Sequence, residues 1–92
     1  YKQHNPMAKD DIDGLAGFVA YLKSKSPDFK VELLREFADG DYVITHVWGH
    51  NGPNDRGFIA MDIFRLDNGK VVEHWDSVQP IPEKTMNANG MK

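Results

Sequence analysis

The chain has 92 residues, no cysteine, and 14 acidic against 11 basic side chains, for a formal net charge of −3. A domain this small buries only about 60% of the surface its unfolded chain exposes, so the core is thin and a partner subunit would help it. Disulfide scaffolds and thiolate metal sites are excluded, and with no run of Lys or Arg so is a nucleic-acid partner. No apolar stretch approaches the roughly 18 to 20 residues that span a bilayer, so a soluble cytoplasmic protein with no membrane partner is expected.

Residues 1–9 begin as a brief strand or extended arm leading into a loop, because the proline of Asn5-Pro6 biases the preceding residue away from helix. Over 10–26, Ile12, Leu15, Ala16, Val19 and Leu22 recur at three- and four-residue spacing, with aspartates at the start and Lys23 and Lys25 in the last turn. This predicts one amphipathic helix whose charges suit the helix dipole, stopped by Ser26-Pro27. Gly14 and Gly17 weaken it by up to about 1 kcal/mol each relative to Ala.

From residue 30 to 79 the apolar period falls to two, and three turn signals divide the stretch into strands at 30–38, 42–50, 57–67 and 70–79. Asp39-Gly40 marks a hairpin, residues 51–56 a longer loop, and Asp67-Asn68-Gly69 a three-residue hairpin loop with glycine in the left-handed position. Residues 80–92 carry two prolines and no period, which predicts an irregular C-terminal arm. One α+β domain results, a helix followed by an antiparallel meander of four main strands.

Strand side chains alternate faces, so the last hairpin brings distant residues together. A three-residue loop pairs Leu66 with Lys70, Asp62 with His74 and Ala60 with Asp76. Asp62, His74 and Asp76 then share a face with Phe58, Phe64, Val72 and Val78. The other face carries Ile59, Met61, Ile63, Val71 and Trp75, with Arg65 and Glu73 able to pair across it. A two-residue loop would shift the register and set Trp75 opposite Asp62. A sheet greasy on both sides needs two coverings: the helix supplies one, and a second copy of the chain, giving a homodimer, is the simplest source of the other. The face taken by His46 and Trp48 stays open, since a symmetric loop turns them outward and a one-residue bulge turns them in.

A carboxyl among apolar side chains is disfavoured as the anion, whereas beside an imidazole it stabilises the imidazolium. Asp62, His74 and Asp76 are therefore candidates for a coupled proton-transfer set, the requirement of general acid-base catalysis. The bland alternative is a core histidine held by one acid, with no ligand touched. No metal is expected: His46 and His50, four apart on a strand, lie about 13 Å from each other. Nucleophilic catalysis is disfavoured because Ser77 belongs to the face opposite His74 and Asp76, and no glycine pattern suggests a phosphate loop.

Gln3-His-Asn-Pro6, the Asp13-Gly14 and Gly17-Phe18 helix, Ala38-Asp-Gly-Asp-Tyr-Val43, Asp62-Ile-Phe-Arg65 and Asn68-Gly-Lys-Val-Val-Glu-His-Trp-Asp76 together resemble the SnoaL-like polyketide cyclase group of the nuclear-transport-factor-2-like superfamily. The resemblance covers nearly the whole chain. It implies a cone-shaped fold in which a curved antiparallel sheet wraps helices around a pocket, commonly dimeric through the outer sheet face. Members usually carry about two helices before the Gln-His-Asn-Pro segment, so part of this cone is expected to be missing. The resemblance further implies cofactor-free aldol or enolisation chemistry on a small carbonyl-containing or aromatic apolar ligand. Asp76 would be the acid-base group, His74 would tune it, and Asp62 or His4 would steady an enolate. His46, Trp48, Phe58, Phe64, Val78 and Gln79 are the candidate binding residues. Two other classes compete: a non-catalytic pocket for an apolar ligand, and an interaction domain using the missing-helix surface.

Overall fold

The computed structural model describes residues 1–7, 10, 24–25 and 27–92. The predicted helix over 10–26 therefore lies almost wholly outside the described residues. What is described is a single open sheet of five strands: β1 (Lys2–Gln3), β2 (Lys30–Asp39), β3 (Tyr42–His50), β4 (Phe58–Asp67) and β5 (Lys70–Pro80). Their order is β1-β5-β4-β3-β2. The meander is antiparallel throughout, and the short first strand, expected as a brief strand or extended arm, adds in parallel to β5.

The last hairpin corrects the expected register. Asp67 pairs with Lys70, leaving the two-residue loop Asn68-Gly69 with φ of 52° and 76°. An Asn-Gly pair tolerates the left-handed backbone at both positions and so closes the tightest hairpin turn, whose twist matches the strands. A bulge follows, because Leu66 pairs with Val71 but Arg65 with Glu73, which leaves Val72 unpaired. The shorter loop and the bulge each move the register by one residue in the same direction. The total shift is two, so every later side chain keeps its expected face but slides along it. Asp62 stands opposite Asp76 rather than His74, His74 opposite Phe64, Ala60 opposite Val78, and Ile63 opposite Trp75.

The pairing of β3 with β4 runs without a bulge from Tyr42 opposite Arg65 to Gly49 opposite Phe58. It settles the side left open by the sequence. Val43, Thr45 and Val47 share the inner face with Phe64, Asp62 and Ala60, while His46 and Trp48 go outward with Met61 and Ile59. Gly49 and Gly57 let the strands approach at this end: a Cβ on Gly49 would collide with the Phe58 ring, and one on Gly57, whose φ is +65°, with the Gly49 carbonyl.

Burial concentrates where the three central strands meet. Ile59 and Ala60 are the buried hydrophobic residues, joined by His50 and His74. Outside this centre the sheet is greasy and open. The outer face exposes Phe37, Tyr42, Ile44, Met61 and Ile63, with Phe37 62% exposed. Ile44, Met61, Ile63, Trp75, Asp76 and Ser77 line a shallow groove of about 300 Å³ there. The arm after Pro80 has no regular structure and returns to the sheet through the Ile81 amide, which donates to the Gly57 carbonyl at 3.0 Å. Among the described residues no helix is long and apolar enough to cross a membrane.

Candidate active site

The inner face of β4 and β5 brings Asp62, His74 and Asp76 together. His74 is 6% exposed, and its Nε2 lies 2.7 Å from Asp62 Oδ1. Its ring stacks on Phe64 with centroids 4.7 Å apart. Directly opposed carboxylates, as on Asp62 and Asp76, repel each other. Here each has its own partner: the imidazole beside Asp62, and the Asn5 side-chain amide, which donates from Nδ2 to Asp76 Oδ2 at 2.9 Å.

Asn5 and Gln3 are the site neighbours that sequence reasoning missed. β1 places Lys2 against Glu73 and Gln3 against His74, so alternation turns Gln3 and Asn5 inward and His4 outward. Gln3 Oε1 lies 2.8 Å from His74 Nδ1 and also accepts the Asn5 backbone N–H at 3.0 Å. The Asn5 amide is oriented in turn by the Met7 backbone N–H, which donates to Asn5 Oδ1 at 2.8 Å. Gln3 Nε2 donates to the Tyr1 hydroxyl at 2.9 Å. The Tyr1 phenol is held above its ordinary value, first by burial and then by the negative field of Asp76, Asp10 and Asp62, so it stays a neutral hydroxyl beside the acids. The parity of Gln3-His4-Asn5 was available as a signal, but only an assigned β1–β5 pairing gives that parity a direction.

His4, a sequence candidate for the site, is carried to the other side of the sheet. Its Nε2 lies 2.7 Å from Glu73 Oε2, and its ring stacks flat on Trp75 at 4.7 Å. Arg65 Nε donates to the same Glu73 carboxylate at 2.9 Å, and these two contacts, His4 first, hold the Glu73 carboxyl below its ordinary range. His4 thus anchors β1 from outside while its two neighbours reach inside.

The candidate binding residues divide the same way. Phe58, Phe64 and Val78 share the inner face with Asp62, as do Val43 and Thr45. His46, Trp48 and Gln79 do not, because each pairs in register with an outward residue of a neighbouring strand. His46 Nδ1 contacts the Arg35 guanidinium at 2.8 Å. Trp48 is packed against His50 at 3.7 Å, donates from Nε1 to the Arg56 carbonyl, and carries Lys92 Nζ 3.6 Å above its ring. Buried His50 is held by Glu32 at 2.6 Å. These contacts make the outer end of β3 a structural cluster.

Asp62, His74 and Asp76 each offer one ligand atom within 4.8 Å of the others, so they are also the group that could hold a metal ion among the described residues. Both His74 nitrogens face protein oxygens, Gln3 Oε1 at Nδ1 and Asp62 Oδ1 at Nε2.

The family model for a SnoaL-like domain matches residues 1–74. The chain belongs to the SnoaL-like domain family. The matched stretch of this SnoaL-like chain contains Gln3, Asn5, Asp62 and His74 and stops two residues before Asp76. No curated protein matches the chain.

Proposed function

We propose that this SnoaL-like protein is a cofactor-free acid-base enzyme of the cyclase or isomerase type, acting in the cytoplasm on a small carbonyl compound held against the inner face of the sheet. The observation that carries this reading is the single inner-face set of Asp62, His74 and Asp76, with His74 between a carboxylate and an amide oxygen. Asp76 is the base. Its carboxylate takes a proton from the carbon next to the substrate carbonyl, and the electron pair of that C–H bond becomes the double bond of an enolate. Asp62 and His74 supply the hydrogen-bond donor that steadies the enolate oxygen. The enolate carbon then attacks a second carbonyl of the same molecule, whose π bond opens to an alkoxide that takes the proton back from Asp76; in an isomerisation the enolate instead takes that proton back at another carbon. Phe58, Phe64 and Val78 provide the apolar wall.

In the same reading the sheet closes with its helix into a cone around this face, and a second copy of the chain covers the outer face, where the groove lined by Ile44, Met61, Ile63 and Trp75 is open. The deciding experiment is deuterium exchange at the carbon next to the carbonyl, followed by NMR over a panel of small ketones and aromatic polyketide-like compounds. Exchange with the wild type should fall by about 10²- to 10⁴-fold in Asp76→Asn, the usual worth of a positioned acid-base group. Equal exchange in the two proteins would refute the assignment. Binding by thermal shift with no exchange would instead favour a non-catalytic pocket for an apolar ligand.

A further inference from the structure

We infer that Gln3 is a positioning residue that commits the proton of His74 to Nδ1 and thereby makes Asp62 and His74 Nε2 share a single proton. The inference rests on the reading of this face as the acid-base site, but its first test does not require turnover. Gln3 presents an oxygen, not its NH2, to the ring. The same atom accepts the backbone N–H of Asn5, which can only donate, and the other end of the amide is used on the Tyr1 hydroxyl. An acceptor 2.8 Å from Nδ1 requires that Nδ1 carry the hydrogen.

The consequence falls on the other nitrogen. A neutral His74 with Nδ1–H has only a lone pair at Nε2, 2.7 Å from Asp62 Oδ1. That short contact is then a hydrogen bond only if one proton lies in it, either on the Asp62 carboxyl or on Nε2 opposite the carboxylate. The opposite tautomer would point Nε2–H at an ionised Asp62 with no further proton in the set. Gln3 therefore decides whether Asp62, His74 and Asp76 together carry one negative charge or two. One charge suits the site in two ways. It relieves the repulsion between the directly opposed acids, and it leaves Asp76 as the base with a proton still stored beside it for the enolate oxygen. Because Gln3 belongs to a strand of two residues, anchored outside by His4 on Glu73, this setting depends on β1 staying docked.

The experiment is long-range ¹H–¹⁵N correlation NMR of the histidine rings in the full chain, with the His74 signals assigned by their loss in His74→Gln. Across the imidazole titration range and above it, wild-type Nδ1 should stay protonated. A neutral ring with a bare Nδ1 at any pH overturns the inference. In Gln3→Leu the Nδ1 signal should lose its proton at the alkaline end, giving the Nε2–H tautomer, and persistence of Nδ1–H there overturns the role of Gln3. Gln3→Glu keeps an acceptor at the same place and should restore the wild-type pattern. A switch in that variant also counts against the inference, and it serves as the folded comparison if Gln3→Leu loses its dispersed amide spectrum. Failure to find a turned-over substrate would sink the proposed reaction without touching these ring signals.

Discussion

Asp62→Leu tests the energetic core of the site without a substrate. The wild-type contact joins a carboxyl to an imidazole at 2.7 Å, with side chains only 14% and 8% exposed. A hydrogen bond with an ionised partner in such a place is worth about 1.5–3 kcal/mol, and an orphaned buried donor or acceptor costs about 1–3 kcal/mol. Asp62→Leu leaves His74 Nε2 facing a hydrocarbon, so a loss of about 2 kcal/mol is expected. For a domain of this size that lowers Tm by about 8–16 °C. His74→Phe, which retains a ring to stack on Phe64, should cost a similar amount by stranding Asp62. Replacing both removes the polar pair together and should cost less than the sum by about 1.5–3 kcal/mol, since a buried pair exchanged for apolar groups of like shape is nearly neutral. The assay is urea denaturation of the three variants and the parent, read as a double-mutant cycle. Additive losses, agreeing to within about 0.5 kcal/mol, would refute the direct contact.

Other consequences of the geometry are open to simpler measurements. Gly57→Ala forces a Cβ into the Gly49 carbonyl at a positive φ and should cost at least about 2 kcal/mol, against about 1 kcal/mol for Gly69→Ala, where the turn has open space; equal losses by denaturation would contradict the close strand approach. The Glu73 carboxyl is held below its ordinary value near pH 4.5, so its contacts with His4 and Arg65 add stability above that pH which is lost as pH falls through the lowered folded value. In Glu73→Gln the acid limb of the Tm against pH curve should flatten in that window, and an unchanged limb would discount the network. Ile63→Asp places a charge in the outer apolar groove and should reduce the sedimentation coefficient if a second copy covers that face. An identical coefficient for parent and variant would argue against the homodimer.

Much of this arrangement was legible without coordinates. The period of two marks all four long strands, and the Asn-Gly turn marks the hairpin that folds β5 onto β4. The shared face of Asp62, His74 and Asp76 survives a wrong loop length because loop and bulge shift the register by an even total. Parity is a local property of a strand, so composition and spacing carry it. Which residue stands opposite which is not local. It depends on the two-residue loop together with a bulge at Val72 that no turn signal announces, and the two combined set Asp62 against Asp76 rather than against His74.

The same limit explains His4, Gln3 and Asn5. In sequence the histidine attracts attention, as the residue type that titrates and binds. Only the parallel docking of β1 beside β5, between residues 71 apart, shows that His4 faces Glu73 and Trp75 while its neighbours hold His74 and Asp76. Likewise the unbulged ladder between β3 and β4 sends His46 and Trp48 outward, a choice that rests on how residues 51–57 close. The chain by itself determined the strands, the turns and the identity of the two acids and one imidazole, because alternation and turn chemistry act over a few residues. Tertiary structure alone decided the partners of each proton-carrying atom, because those are set by register and by a first strand whose place comes from the far end of the chain.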